Sequence, residues 1–180
     1  MTLALVDPVE WDSIIEQIDI EFGAGVTKRL VGNLVPVTMS RGATRIFYAI
    51  PTEWMTIVTE LAETPNIQFI GKELGSIEKE RFRLSLHILS ELAHLTESFI
   101  IVSKQGAEAF TYGRSIIKQS VLSVDSSLVR GQRVLVLNKN RECLGIAALS
   151  VDASKVNRLG AERLVAKNLV DVGWFIRRLG

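Results

Sequence analysis

The chain has one cysteine and two histidines in 180 residues. Cys143 alone cannot close an intramolecular disulfide, and with His87 and His94 it falls short of the ligand set of a structural zinc. Neither a cross-link nor a metal is expected, and the cysteine usage fits a reducing cytosol. No apolar run approaches the roughly 18 residues of a membrane span, and the opening Met-Thr-Leu-Ala-Leu-Val-Asp-Pro lacks the basic stretch of a signal peptide. Also absent are the Gly-x-x-x-x-Gly-Lys-Ser/Thr phosphate loop, Gly-x-Gly-x-x-Gly, Gly-x-Ser-x-Gly and a metal-binding histidine pair with an acid. These absences leave no catalytic residue, cofactor or metal to expect. They also count against a membrane partner. Internal repeats and low-complexity segments are missing too.

What is present is the composition of a globular protein, 47% hydrophobic and 23% charged. Only the extreme N-terminus is open to disorder. Charge divides the chain. Residues 1–96 hold 8 Lys and Arg against 13 Asp and Glu, a net of −5, whereas residues 97–180 hold 13 against 7, a net of +6. Two modules are therefore expected, an acidic one over 1–96 and a basic one over 97–180. A basic module suits a polyanion, and an acidic one suits a protein partner.

The first element is a helix with its start marked by capping chemistry. Asp7 stands at the N-cap, Pro8 at the first helical position, and Glu10 where a capping box needs it. Trp11, Ile14, Ile15, Ile18 and Phe22 follow at helical spacing, and Gly23-Ala24-Gly25 stops the run. Residues 30–37 and 44–50 read as a hairpin across Ser40-Arg41-Gly42-Ala43. Pro51-Thr52-Glu53 opens a second helix carrying Trp54, Ile57, Val58 and Leu61, ended by Pro65. Residues 67–70 and 82–86 read as strands, and residues 88–95 as a helix. The first module is thus α+β. From Phe99 the pattern is a strand, a short helix over 105–112, and several short strands. Among them 134–137 and 143–147 flank a tight connection at Asn138-Lys139-Asn140, where asparagine tolerates positive φ. Such strands favour a small barrel or sandwich.

Three C-terminal runs, residues 130–137, residues 142–147 and Val172-Gly173-Trp174-Phe175-Ile176-Arg177-Arg178, resemble a PUA domain, a mostly-β pseudobarrel. Upstream, Gly106-Ala107-Glu108-Ala109-Phe110-Thr111-Tyr112-Gly113, then Ile116-Ile117-Lys118, together with Arg81-Phe82-Arg83-Leu84, resemble the Nip-seven family of large-subunit ribosome biogenesis factors. The resemblance covers essentially the whole chain and is strongest from Arg81 to Lys118. It implies an α+β domain followed by a PUA domain and a non-enzymatic role. The PUA domain would hold pre-ribosomal RNA at single-stranded or loop regions, while other assembly-factor or exosome-type proteins engage the N-terminal domain. With no basic nuclear-import cluster or long acidic tail in the sequence, an archaeal-type cytoplasmic monomer is expected; in a eukaryote the resemblance would imply the nucleolus. One departure stands out: where the family carries glycines and a basic residue, this chain has Gln119-Ser120-Val121-Leu122-Ser123, which shifts the expected contacts from close backbone approach to side chains on phosphate.

Lys155, Arg158, Arg163 and Lys167, with Arg177 and Arg178 beside Trp174 and Phe175, form the expected RNA-binding set; Lys118 and Arg114 extend it. Each taken alone is as well explained as a solvated basic face. Trp174 and Phe175 alternate in an expected strand, so one of them should face the core. Arg81 and Arg83 share a strand face and suit ion pairing near Glu78. His87 and His94, seven apart, share a face if one helix spans both. Asp7, Glu10, Asp12, Glu16 and Asp19 form an acidic flank for a basic protein. Two further readings remain open: a small RNA-modifying enzyme using Arg81, His87 and an acid, and an adaptor with a PUA domain that no longer binds RNA.

Overall fold

The computed structural model describes residues 2–42, 44–60, 69–78 and 81–174, and Arg177. The chain divides into two units, one of residues 1–20 with 24–92 and one of residues 21–23 with 93–180.

The first unit is built on an antiparallel five-stranded sheet with its strands in chain order: β1 (Thr2–Leu5), β2 (Val35–Arg41), β3 (Thr44–Ile50), β4 (Lys72–Glu78) and β5 (Arg81–Leu84). Alternation along β3 explains why it is covered on both sides. Ile46, Tyr48 and Ile50 join Val35, Val37 and Met39 of β2 in a cluster that includes Val58 of α3 (Met55–Glu60). Phe47 points the other way and meets Phe82 edge-on, ring centroids 5.7 Å apart. On that side lies α1 (Pro8–Phe22): its Gln17 Oε1 accepts from Phe82 N–H, and its Glu10 takes the Arg45 guanidinium in two bonds of 2.6 and 2.7 Å.

Asp7 caps α1 as expected, with Oδ1 accepting from Val9 and Glu10 N–H at 3.0 and 3.1 Å. Glu10, expected to complete a capping box, instead pairs with Arg45, because a doubly bonded guanidinium is the stronger partner. Other expectations are corrected here. The N-terminus is not loose: β1 pairs with β2 from Thr2↔Ser40 to Leu5↔Val37. Leu30 and Val31, expected in a strand, end a short helix, α2 (Val26–Val31), closed by Gly32 at φ 59. β4 was not legible, since its glutamates and Gly75 break the β-branched pattern; a Cβ at Gly75 would collide with the Arg83 carbonyl, so glycine is what lets β5 pair there. Phe69 and Ile70 are not in a strand, and Leu61, Pro65 and residues 67–68 lie outside the described residues. α4 spans only Leu89–Leu92 after a 3₁₀ turn, so His87 and His94, both exposed, do not share a helix face.

The second unit is a six-stranded sheet in the order β7-β11-β10-β9-β6-β8, from β6 (Phe99–Val102), β7 (Ile116–Ile117), β8 (Val121–Val124), β9 (Arg133–Leu137), β10 (Cys143–Leu149) and β11 (Leu164–Asp171). All pairings are antiparallel except β6 with β9. The two edge strands, β7 and β8, are consecutive in sequence and joined by the 3₁₀ turn Lys118–Ser120. A sheet whose two edges meet in one short turn must curl, and the result is a nearly closed barrel. Ile100, Val102, Val134, Val136, Ala147 and Val165 fill it, and α5 (Lys104–Thr111) adds Phe110. Ser103 caps α5, its Oγ accepting from Gly106 N–H. The β9–β10 hairpin forms as expected, but the positive φ falls on Arg141, at 63°, with its guanidinium 4.7 Å from the centre of the Phe99 ring. Residues 172–174 turn out of β11 rather than extending it, which leaves Trp174 38% exposed; Phe175 lies outside the described residues.

Candidate nucleic-acid interface

The basic residues singled out in the sequence fall into two groups on the second unit. The first lies on the elements that border a cleft of about 330 Å³ between the segment Lys118–Ser126 and the 3₁₀ helix Ala153–Arg158. Lys118 lies on the rim of this cleft. Its N–H donates to the Arg163 carbonyl at 2.9 Å, which sets Lys118 and Arg163 side by side at the β7–β11 pairing. Arg158 ends the 3₁₀ helix that forms the opposite wall, and Lys155 is one turn earlier on it. Arg158, Arg163 and Lys118 have no ion pair among the described residues, so their charge is available to an outside anion. Lys155 is already paired with Asp152 at 2.8 Å. The Asp152 carboxyl is held below the usual carboxylate range by hydrogen bonds from Lys155 and from the Arg130 N–H, together with the Lys155 charge.

Five apolar residues, Val121, Leu122, Val124, Ala153 and Val156, line the cleft, and Ser123, Ser126, Ser154 and Asn157 add polar groups. Both walls are fixed to one loop. Asp125 Oδ1 accepts from Ser127 N–H at 2.7 Å, Leu128 N–H donates to the Asp125 carbonyl, and Ala153 N–H donates to the Leu128 carbonyl at 2.9 Å. The Asp125 carboxyl is lowered by the bonds from Ser127. The run Gln119–Ser123, which departs from the resembled family, supplies part of this wall.

The second group lies at the other end of β11. Lys167 is exposed on that strand, and Arg114 follows the C-terminus of α5. Arg177 turns inward: both its terminal nitrogens bond to Asp171 at 2.9 Å, and Nη1 also donates to the Thr111 carbonyl. The bonds to Asp171 raise the Arg177 pKa further. Asn168 Nδ2 joins the same knot, donating to the Phe110 carbonyl at 2.9 Å and to Asp171 at 3.2 Å. Sequence reasoning missed Asp171 and Asn168, since a lone acid in a basic run gives no local sign of a partner six residues on. Arg178 lies outside the described residues.

Among the described residues of the first unit, the cations and acids singled out in the sequence serve other ends. Arg83 pairs with Glu78 at 3.1 Å, as expected for an exposed strand pair. Asp19, read as part of an acidic flank, is a structural cap: it accepts from Gly25 N–H at 2.6 Å and from Thr27 N–H and Oγ1 at 2.9 and 2.7 Å. Cys143 is buried enough to push its thiol up to about 11, an inert setting for a nucleophile. Among the described residues no helix is long and apolar enough to cross a membrane, and no His, Cys, Asp and Glu cluster could hold a metal.

The model of the UPF0113 PUA domain matches residues 98–180. Residues 98–180 are thus similar to a UPF0113 PUA domain. The likeness extends upstream of the PUA domain. A UPF0113 protein of Aeropyrum pernix is 35% identical over 114 residues, 61% of this chain and 58% of its own. The 60S ribosome subunit biogenesis protein NIP7 of Saccharomyces cerevisiae is 26% identical over 74% of this chain and 73% of its own. The chain thus spans a little over half the length of the Aeropyrum relative. In fold, the crystal structure of a hypothetical protein from Pyrococcus horikoshii superposes with a TM-score of 0.68, covering 94% of this chain and 93% of that one at 12% identity. The resemblance to the Nip-seven family and the fold of an α+β part followed by a PUA barrel both stand.

Proposed function

We propose that this protein is an RNA-binding factor of large-ribosomal-subunit assembly that works by placement and catalyses nothing. The observation that carries the reading is Lys118 in the lining of one cleft of the barrel, its N–H bonded to the Arg163 carbonyl, with Arg158 ending the 3₁₀ helix of the facing wall and none of the three ion-paired among the described residues. Cations without an internal partner gain from phosphate, because binding releases the counterions condensed on the nucleic acid. Lys155, Lys167 and Arg114 extend the same reading, as do Arg177 and Arg178 at the C-terminal end. The RNA is pre-ribosomal, held at unpaired stretches where bases and phosphates are both accessible. The division at residues 96 and 97 separates this basic module from an acidic one that docks assembly-factor or exosome-type proteins. The protein acts as a cytoplasmic monomer. Relatives named as ribosome biogenesis proteins support the setting.

The test is fluorescence anisotropy of the full chain with single-stranded RNA across a range of salt. Replacing Arg158, Arg163 and Lys167 together by Ala should weaken binding uniformly across sequences. If each cation meets one phosphate, the slope of log K against log salt falls by about 2, at roughly 0.7 per phosphate of a single strand. An unchanged slope and affinity would remove these residues from the interface.

A further inference from the structure

We propose that the cleft between Lys118–Ser126 and Ala153–Asn157 takes one unpaired base of the bound strand, with the flanking phosphate on Lys118. This rests on the RNA-binding reading above and adds what that reading lacks, a site for the base itself. A nucleobase has two apolar faces and a polar edge, and the cleft has the matching division. Val121, Leu122 and Val124 stand on one wall, with Ala153 and Val156 on the other. Ser126, Ser154 and Asn157 bring hydroxyl and amide groups to the same space, and none of these side chains has a hydrogen-bond partner among the described residues. An amide offers both a donor and an acceptor, which is what the edge of an unpaired base requires.

Three further features favour a base over a bare phosphate. A site for phosphate alone would concentrate cations, whereas only Lys118 of the basic set lines this cleft. The volume of about 330 Å³ is at the small end of ligand pockets, sized for a single ring system with part of its sugar. The walls are tied through the Asp125–Leu128–Ala153 hydrogen bonds, so the space exists before the ligand arrives and little ordering is needed on binding. Arg163 beside Lys118, and Arg158 at the end of the facing 3₁₀ helix, put cations where the chain would enter and leave.

The experiment compares a short single-stranded RNA with a ribose-phosphate strand of the same length that carries no bases, each titrated with the full chain. Wild type should prefer the base-bearing strand by about tenfold, the value of one buried base. Asn157→Ala removes the amide, and Ser154→Trp fills the cleft from an exposed position; each should abolish most of that preference while leaving the salt slope intact. Thermal melts check folding, and should the bulky variant not fold, Asn157→Ala decides alone. Salt-dependent binding with a wild-type preference for bases in both variants would overturn the cleft and leave the phosphate contacts standing. No binding of either strand at low salt would overturn the RNA-binding reading and the base site together.

Discussion

Arg177 grips Asp171 through two parallel N–H···O bonds of 2.9 Å, and Asp171 is only 2% exposed. The pair holds the chain leaving β11 against the end of α5, because the same guanidinium reaches the Thr111 carbonyl. Gly173 allows it: a Cβ there would meet Thr111, Arg177 and Asp171 at once. A planar fork makes these bonds where a point charge cannot, so Arg177→Lys should fail to restore what Arg177→Ala loses. Asp171→Ala, which strips Arg177 and Asn168 of a buried acceptor, should destabilise the protein by about 1–3 kcal/mol. Urea unfolding midpoints of the three variants check this, and equal midpoints for Arg177→Lys and wild type would contradict it.

Asp19 links α1 to α2 by accepting three hydrogen bonds from Gly25 and Thr27. Burial raises its pKa, but the bonds from Thr27 and Gly25 and the charge of Arg29 outweigh that and hold the carboxyl below its ordinary value of 3.8. A carboxylate lowered on folding stabilises the protein above its unfolded pKa, and the contribution is lost as pH falls through the lower folded value. Asp19→Ala should therefore cost about 1–2 kcal/mol near neutrality, the range of a lost helix cap. The gap between variant and wild type should close at pH values below 3.8, as measured by unfolding at a series of pH values.

Gly145 lies where β10 shifts register against β9. Its backbone sits at φ 147, and a Cβ would collide with the Val170 carbonyl and the Asp171 backbone of the neighbouring strand. Gly145→Ala should push β10 and β11 apart and cost about 1–3 kcal/mol. Gly131→Ala, at φ 87 with open space around it, suffers only the backbone strain and should lose less. Thermal melts of the two variants give the order, and the reverse order would contradict it.

How much of this was legible depended on whether the signal was local. The cap at Asp7, the hairpin of β2 and β3, and α5 follow from residues close in sequence, so periodicity and turn chemistry located them. β4 and α2 did not, because each owes its conformation to a distant partner: β4 to the β3 and β5 ladders, and α2 to the Asp19 cap from the preceding helix. The basic residues could be named from composition. Their division could not, since the turn that sets Lys118 beside Arg163 and the fork that draws Arg177 inward both join residues far apart or folded back on themselves.

By itself the sequence determined the two-part charge distribution, the classes of element, and the kinship with a PUA-containing family, because these are written in residue types and their spacing. Tertiary structure alone decided which cations meet solvent and which are held inside. It also decided that Val121, Leu122 and Ser123 of the run Gln119–Ser123 line a cleft rather than merely losing a glycine contact. The reason is physical: a charge is free or paired according to what the fold brings within about 3–4 Å of it, and that neighbour is seldom adjacent in the chain.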